Sequence, residues 1–111
     1  MKKIEAIVSP AKLHDIKDEL GLLGVTGATV AEVHGVARHA RVQLYRGAEY
    51  TVDTVPQVEI EIVVADELVP NVVSAIRGIA STDRDGDGRI FITPLEDVIR
   101  IRTGEHGLAA I

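Results

Sequence analysis

The sequence predicts a single α+β domain in which a strand–helix–strand unit occurs twice. With 111 residues, the chain is within the length of one ordinary domain. Apolar residues make up 46% of the chain but aromatic residues only 3%, so an aliphatic core is expected. Apolar residues also change twice from strand-like alternation to helical spacing and back, which predicts the repeated unit.

The first half of the chain contains the first unit. Residues 2–9 alternate like a strand, and the Ser9-Pro10 pair favours a helix start, because serine caps free N–H groups and proline suits the first helical position. An amphipathic helix is expected to follow and to stop at Gly24, before a second strand at residues 28–35. The apolar stripe of this helix is Leu13, Ile16, Leu20 and Leu23.

The second half repeats this order. Residues 57–65 are the clearest strand, with apolar side chains on one face and Glu59 and Glu61 on the other. Asp66 is expected to cap a second helix, with Pro70 in its first turn. The helix stripe is Val69, Val72, Val73, Ile76 and Ile79, and the remaining elements are a strand at 89–93, a short fifth strand at 98–102 and a tail at 103–111.

This element order is that of a ferredoxin-like fold, the split βαβ repeat βαββαβ. Such a fold has an antiparallel sheet with both helices on one face. The other face would be left bare, although it carries apolar side chains, and this predicts self-association.

Composition excludes several classes of protein. The chain has no cysteine, so disulfides and thiolate metal sites are excluded. No apolar run approaches the length of a membrane span, and no apolar signal segment follows the N-terminus. A net charge of −5 disfavours binding to nucleic acid or to an anionic membrane. We therefore expect a cytoplasmic protein without membrane insertion.

Residues 36–56 form a long connection between the second and third predicted strands. Connections beyond roughly 12–15 residues in a small domain are usually functional or disordered. Three arginines and both tyrosines, Tyr45 and Tyr50, lie in this segment. A tyrosine is expected in a packed core, so their placement here favours a functional loop.

The stretch Asp83–Ile90 permits three interpretations. It begins like a calcium-binding loop, but Pro94 stands where such a loop needs a bidentate glutamate. Gly86 and Gly88, with flanking arginines, also suit an anion site, because glycine lets backbone N–H groups approach a phosphate. The third interpretation is a tight turn that needs glycine for its backbone angles.

Other charged residues have ordinary explanations beside functional ones. Arg100 and Arg102 would share a face of the fifth strand, either as a solvated edge or as a phosphate clamp. Glu59 and Glu61 are the polar face of a strand or a pair of catalytic carboxylates. The four histidines, which lack metal-ligand spacing, are expected at the surface: His14, His34, His39 and His106.

Four motifs together carry a resemblance to a known family. They are MKKIEAI at residues 1–7, LYRGAEY at 44–50, DGRIF at 87–91 and VIRIRTGE at 98–105. With them the chain closely resembles, over essentially its whole length, the P-II family of nitrogen-regulatory signal-transduction proteins.

The resemblance implies a regulator rather than an enzyme, built as a homotrimer with ATP or ADP, and magnesium with ATP, in clefts between subunits. Residues 36–56 would contact protein targets, namely ammonium transporters, metabolic enzymes or transcription factors. Residues 82–89 would hold the nucleotide phosphates, and Tyr50 matches a tyrosine that is uridylylated or adenylylated in some relatives. The implied nucleotide residues are Thr29, Gly35, Ala37, Arg38, Val64, Gly86, Asp87, Gly88, Arg89 and Ile101, with Arg100 and Arg102 from the neighbouring subunit.

The chain departs from the family pattern mainly where 2-oxoglutarate would bind. The family usually has lysine at position 57 and glutamine at position 39, where this chain has Gln57 and His39. Loss of a charge-assisted hydrogen bond to a dianion costs about 1.5–3 kcal/mol, so weakened 2-oxoglutarate binding is expected. The other departures are Ser9 for lysine, Ala11 for phenylalanine, Ala37 for glycine, Arg89 for lysine, and one residue fewer between Arg38 and Leu44.

Two other functions compete with this one. The same cleft could sense another small anion such as bicarbonate, coupled to adenylate state and carbon uptake, because Ser9, His39 and Gln57 suit a smaller ligand. A nucleotide-hydrolysing enzyme is the second alternative, but the sequence shows no positioned general base.

Overall fold

A computed structural model gives the fold and describes residues 1–45, 48–83 and 87–111, with side chains described for 1–36, 54–83 and 87–111. Four strands form one antiparallel sheet in the order β2-β3-β1-β4, as the ferredoxin-like arrangement requires. The α+β fold class predicted from the sequence is therefore confirmed. The elements are β1 (Lys2–Val8), α1 (Leu13–Leu22), β2 (Thr29–Tyr45), β3 (Ala48–Val64), α2 (Val69–Ala80) and β4 (Arg89–Pro94).

The core lies between the sheet and the two helices and is aliphatic throughout. Ile4 at the centre of β1 pairs with Ile62 of β3, and both are at most 2% exposed. Ile16 and Ile76 cover them from the two helices. The buried set is Ile4, Ala6, Val8, Ile16, Leu20, Val58, Ile60, Ile62, Val64, Val72 and Ile76.

The start of α1 differs from the prediction. A short 3-10 turn, Pro10–Lys12, precedes the helix, and the Lys12 N–H donates to the Ser9 carbonyl oxygen at 3.0 Å. The prediction that the Ser9 hydroxyl caps the helix is wrong, because the backbone carbonyl of Ser9 accepts the hydrogen bond instead. Gly24 ends the helix region with a φ of +86°, as predicted.

The start of α2 has the same construction. The Leu68 N–H donates to the Ala65 carbonyl oxygen at 3.1 Å in a preceding 3-10 turn. The Asp66 carboxylate accepts instead from the Met1 amine at 2.7 Å, so the expected Asp66 cap is also wrong. Pro70 occupies the first turn of α2, as predicted.

Strands β2 and β3 extend well beyond the rest of the sheet. Strand β1 pairs only with residues 58–64 of β3, whereas the β2–β3 pairing continues out to Tyr45 and Ala48. Most of the described backbone of the long connection at 36–56 is thus paired, on either side of residues 37–40 and Asp53. Its register shifts between Val36 and Arg41, an irregularity that bends a strand pair.

The fifth strand expected at residues 98–102 does not form. Within the described chain this stretch contributes one isolated bridge, between Ile99 and His106, and a turn follows at 101–103. Gly104, with a φ of +74°, turns the chain back before a second strand residue can pair. The prediction that strand alternation aligns the arginines of this stretch is therefore wrong.

The sheet face opposite the helices is not covered by any element of the described chain. It carries Ile7, Val63 and Phe91 beside charged residues, and Phe91 is 44% exposed. Neither helix of the described chain, at 10 and 12 residues, has the length and apolar run needed to span a bilayer.

Candidate functional site

The predicted nucleotide residues lie towards two ends of the four-stranded part of the sheet. Arg89 pairs with Ile7 near the end of β1, and Gly35 pairs with Val55 of β3, beyond the residues of β3 that pair with β1. Val64 lies at the other end, where it pairs with Lys2, and Thr29 starts β2 opposite Glu61. Thr29 and Gly35 are separated by about 20 Å at the usual strand rise of roughly 3.3 Å per residue. We call the two groups the loop end (Gly35, Gln57, Gly88, Arg89) and the cleft end (Thr29, Val64, Arg100).

Gly88 packs directly on the backbone of β1 at the loop end. Its φ is +106°, and a Cβ built there would stand 1.7 Å from the Ile7 carbonyl oxygen. Only glycine fits this position. The last turn before β4 is therefore held against the sheet by its own backbone, with the Arg89 side chain exposed at the edge.

Asp87 is tied to Thr82 by two hydrogen bonds. One carboxylate oxygen accepts from the Thr82 N–H at 2.7 Å, and the other accepts from the Thr82 hydroxyl. A carboxylate repels a phosphate, so this orientation leaves the contacts with an anion to backbone N–H groups and to Arg89.

Gly35 and Gln57 are in contact at the loop end. A Cβ at position 35 would lie 2.2 Å from the Gln57 Oε1 atom. Gln57 also faces Val33 across the β2–β3 ladder. The structure thus brings together one residue predicted to contact the nucleotide and one predicted to contact the effector.

A cleft of about 480 Å³ opens at the cleft end. Its size is within the ordinary range for small-molecule sites. Thr29 and Val64 line it, as do the turn before β2 and the last two residues of the described chain, Ala110 and Ile111. Sequence reasoning missed Leu68 and Ile111 among these residues, because an isolated apolar residue carries no signal of a cleft.

Arg100 lies beside this cleft and is bound within its own segment. Its Nη1 atom is 3.0 Å from the Glu105 Oε1 atom, and its Nη2 atom is 3.5 Å from the Ile111 carbonyl oxygen. Ile101 and Arg102 point to solvent in the turn that follows, and Ile101 is 100% exposed. Only Arg100 of these three is held in a defined orientation by the described chain.

Comparison with known proteins identifies the family. The family model described as "Nitrogen regulatory protein P-II" matches residues 1–105. The chain is 54% identical to the nitrogen regulatory protein P-II of Bradyrhizobium diazoefficiens, 53% to that of Azospirillum brasilense and 54% to that of Rhizobium meliloti. Each alignment covers 100% of both chains over 112 positions.

The chain belongs to the P-II family. The resemblance stated from the four motifs is therefore confirmed. P-II proteins are nitrogen regulatory proteins, and the chain is assigned to that class of regulators.

Several predicted P-II residues lie outside what the structure describes. Gly86 is outside the described residues altogether. The backbones of Ala37, Arg38, His39 and Tyr50 belong to β2 and β3, but their side chains lie outside the described set. Their predicted roles stay predictions.

The bare sheet face of this P-II chain carries a compact charged group. Carboxylate oxygens of Glu5, Glu59 and Glu61 lie within 4.8 Å of one another, and the Lys3 ammonium is 3.0 Å from Glu5. The hydrogen bond from Lys3 lowers the pKa of the Glu5 carboxyl, and the hydrogen bond with Glu5 raises the pKa of Glu59. This arrangement is the polar face that the alternation predicted.

Proposed function

We propose that this P-II protein binds ATP or ADP between subunits of a homotrimer and controls nitrogen-metabolism enzymes, transporters or transcription factors through residues 36–56. One observation carries the nucleotide part. The predicted contacts spread along about 20 Å of β2, from Gly35 to Thr29, which supports a nucleotide held by the loop end of one copy and the cleft end of another.

The chemistry of each end supports this division of the ligand. The loop end offers Gly88, whose backbone is free of a side chain, and the guanidinium of Arg89, which together suit phosphates. The cleft end offers an apolar lining with the Thr29 hydroxyl, which suits a base. Magnesium accompanies ATP at the phosphates in this proposal.

Self-association is supported by the bare sheet face. Ile7, Val63 and Phe91 lie on it without cover from the described chain. Apolar area of this kind is buried favourably against another copy, and a cyclic arrangement of copies brings one loop end to one cleft end at every interface.

Binding and assembly are tested together. Sedimentation should give a trimer, and isothermal titration calorimetry should give one ATP or ADP per copy. The variant Arg89→Ala removes a phosphate contact, and Arg77→Ala, which changes an exposed arginine of α2, is its matched control. Loss of binding in both variants, or a monomer that binds one nucleotide, would contradict the proposal.

The regulatory part depends on residues 36–56. A variant that lacks residues 41–52, the outer part of the β2–β3 hairpin, should keep its trimer and its nucleotide affinity. In cells it should lose control of ammonium uptake or of nitrogen-metabolism enzymes. Retained control by this variant would contradict a partner-contacting role. Modification of Tyr50, which lies in the deleted segment, is checked by mass spectrometry of the wild-type protein from nitrogen-starved cells.

The small molecule sensed beside the nucleotide is a separate part of the proposal. Gln57 places an uncharged amide against Gly35, where the family usually has a lysine. This favours weak 2-oxoglutarate binding and leaves bicarbonate as the alternative effector. Titration of each anion into the Mg-ATP complex separates them: low-micromolar affinity for 2-oxoglutarate would contradict the weakened effector site.

A further inference from the structure

Residues 97–111 fold back on themselves at the cleft end. Asp97 joins the two arms of this segment, because its carboxylate accepts from the N–H groups of Val98 at 2.8 Å and Gly107 at 3.1 Å. The His106 Nδ1 atom lies 2.8 Å from the other carboxylate oxygen. We call residues 97–111 the strap.

A second set of contacts holds Arg100 inside the strap. Glu105 binds the Arg100 guanidinium at 3.0 Å and accepts from the Thr103 hydroxyl at 2.8 Å. The backbone N–H of Arg100 also donates to the Glu105 carbonyl oxygen at 2.9 Å. The charge proposed to meet the nucleotide phosphates is thus neutralised within its own chain.

The end of the strap forms part of the wall of the proposed base site. Ala110 and Ile111 line the same cleft as Thr29 and Val64. Ile111 is 38% exposed, so its side chain is accessible to a ligand in the cleft. Arg100 reaches the Ile111 carbonyl oxygen, which ties the end of the strap to the bound guanidinium.

We propose that the strap is an autoinhibitory element: Ile111 narrows the base end of the cleft and Glu105 holds Arg100, so that a purine nucleotide binds more tightly when either contact is released. This inference rests on the proposed nucleotide site. The two contacts oppose different parts of the ligand, since Ile111 competes with the base and Glu105 competes with the phosphates.

Two strap variants and one control separate these effects. Ile111→Ala should strengthen binding of both adenosine and ATP about fivefold, the factor that partial burial of an isoleucine side chain is worth. Glu105→Gln should strengthen ATP binding by about two- to fivefold, the worth of a solvent-exposed ion pair, and leave adenosine unchanged. Leu108→Ala changes a strap residue that is 64% exposed and lies outside the cleft lining, so it should change neither affinity.

Isothermal titration calorimetry of the full-length assembly measures these affinities. Unchanged or weaker binding in both Ile111→Ala and Glu105→Gln would overturn the strap, while wild-type binding still supports the nucleotide site. An absence of binding to the wild type and to every variant would overturn the proposed function itself.

Hydrogen exchange gives an independent readout. The Gly104 N–H donates to the Arg100 carbonyl oxygen at 2.8 Å, and the Gly107 N–H donates to the Val98 carbonyl oxygen at 2.9 Å. Saturating ATP should speed exchange of these two amides, because displacement of the strap breaks their hydrogen bonds. Slower exchange with ATP would mean that the nucleotide orders the strap, and the inference would fail.

Discussion

Gly88 packs so closely on Ile7 that a Cβ at position 88 would stand 1.7 Å from the Ile7 carbonyl oxygen. This one contact joins the turn at Gly88 to the end of β1, which is one of the two central strands of the sheet. It also fixes where backbone N–H groups are available to an anion. The proposed phosphate site therefore depends on the absence of a side chain at this position.

The Gly88→Ala variant should be less stable and should lose nucleotide binding. The positive φ alone costs about 1–2 kcal/mol for a residue with a Cβ, and the loop must also move away from Ile7. Gly78→Ala is the matched control, because its Cβ meets open space on α2 and helix propensity favours alanine by roughly 0.5–1 kcal/mol. Urea unfolding and ATP titration of both variants test this, and equal stability of the two would contradict it.

The contact between Asp87 and Thr82 should position the loop without touching the ligand. Asp87→Ala removes both hydrogen bonds to Thr82 and should lower ATP affinity by about tenfold or more, whereas Thr82→Val removes only the hydroxyl bond and should cost about threefold. Calorimetric titration measures both. Tighter ATP binding by Asp87→Ala would show that the carboxylate opposes the phosphates directly.

Acid should weaken the strap through Asp97. The hydrogen bond from His106, with those from Val98 and Gly107, lowers the pKa of this carboxyl below its ordinary value. A carboxyl with a lowered folded-state pKa stabilises the fold above the unfolded pKa, about 3.9, and this contribution is lost as the pH falls through the folded value.

The stability difference between wild type and Asp97→Asn should therefore be present at neutral pH and should vanish in strong acid. Denaturant unfolding across this range measures it. Glu96→Gln, a change at the neighbouring exposed carboxylate, is the control and should give a smaller difference at every pH. A difference between wild type and Asp97→Asn that persists undiminished in strong acid, well below the unfolded pKa of about 3.9, would contradict this prediction.

Restoring a positive charge at position 57 should restore 2-oxoglutarate binding. Gln57→Lys supplies the charge-assisted hydrogen bond that the family usually has, which is worth about 1.5–3 kcal/mol, or roughly a ten- to hundredfold gain in affinity. Ser74→Lys adds the same charge on the exposed side of α2 and should give no gain. Titration of 2-oxoglutarate into the Mg-ATP complexes measures these affinities. Equal gains in affinity from both variants would contradict a direct role of the charge at position 57.

The sequence predicted the sheet and helices well because their signal is periodic. Alternation along 57–65 placed Val58, Ile60, Ile62 and Val64 in the core, and all are at most 4% exposed. The caps were predicted less well, since a backbone carbonyl can replace a serine or aspartate side chain at a 3-10 turn. Asp66 binds the Met1 amine, a partner 65 residues away that no local pattern reveals.

The sequence predicted which residues form the candidate site but not how they are arranged in space. The family resemblance named Thr29 and Gly35 together, and the strand predicted at 28–35 already separates them, but the sequence did not reveal that Thr29 and Val64 share a cleft. The expected strand at 98–102 failed because Gly104, with a φ of +74°, reverses the chain after the single bridge between Ile99 and His106. Ile111 lines the cleft only because of the tertiary fold, so the local sequence gives no sign of it.

The central claim, that each nucleotide is shared by two copies, is tested most directly by mixing two defective chains. Arg89→Glu disables the loop end and Arg100→Glu disables the cleft end, while Arg77→Glu on α2 controls for charge reversal and should bind fully. Neither defective trimer should bind ATP alone. After co-refolding in equal amounts, mixed trimers have one intact loop end facing one intact cleft end, so about a quarter of all sites should bind. No binding in the mixture, with the control intact, would contradict a shared site.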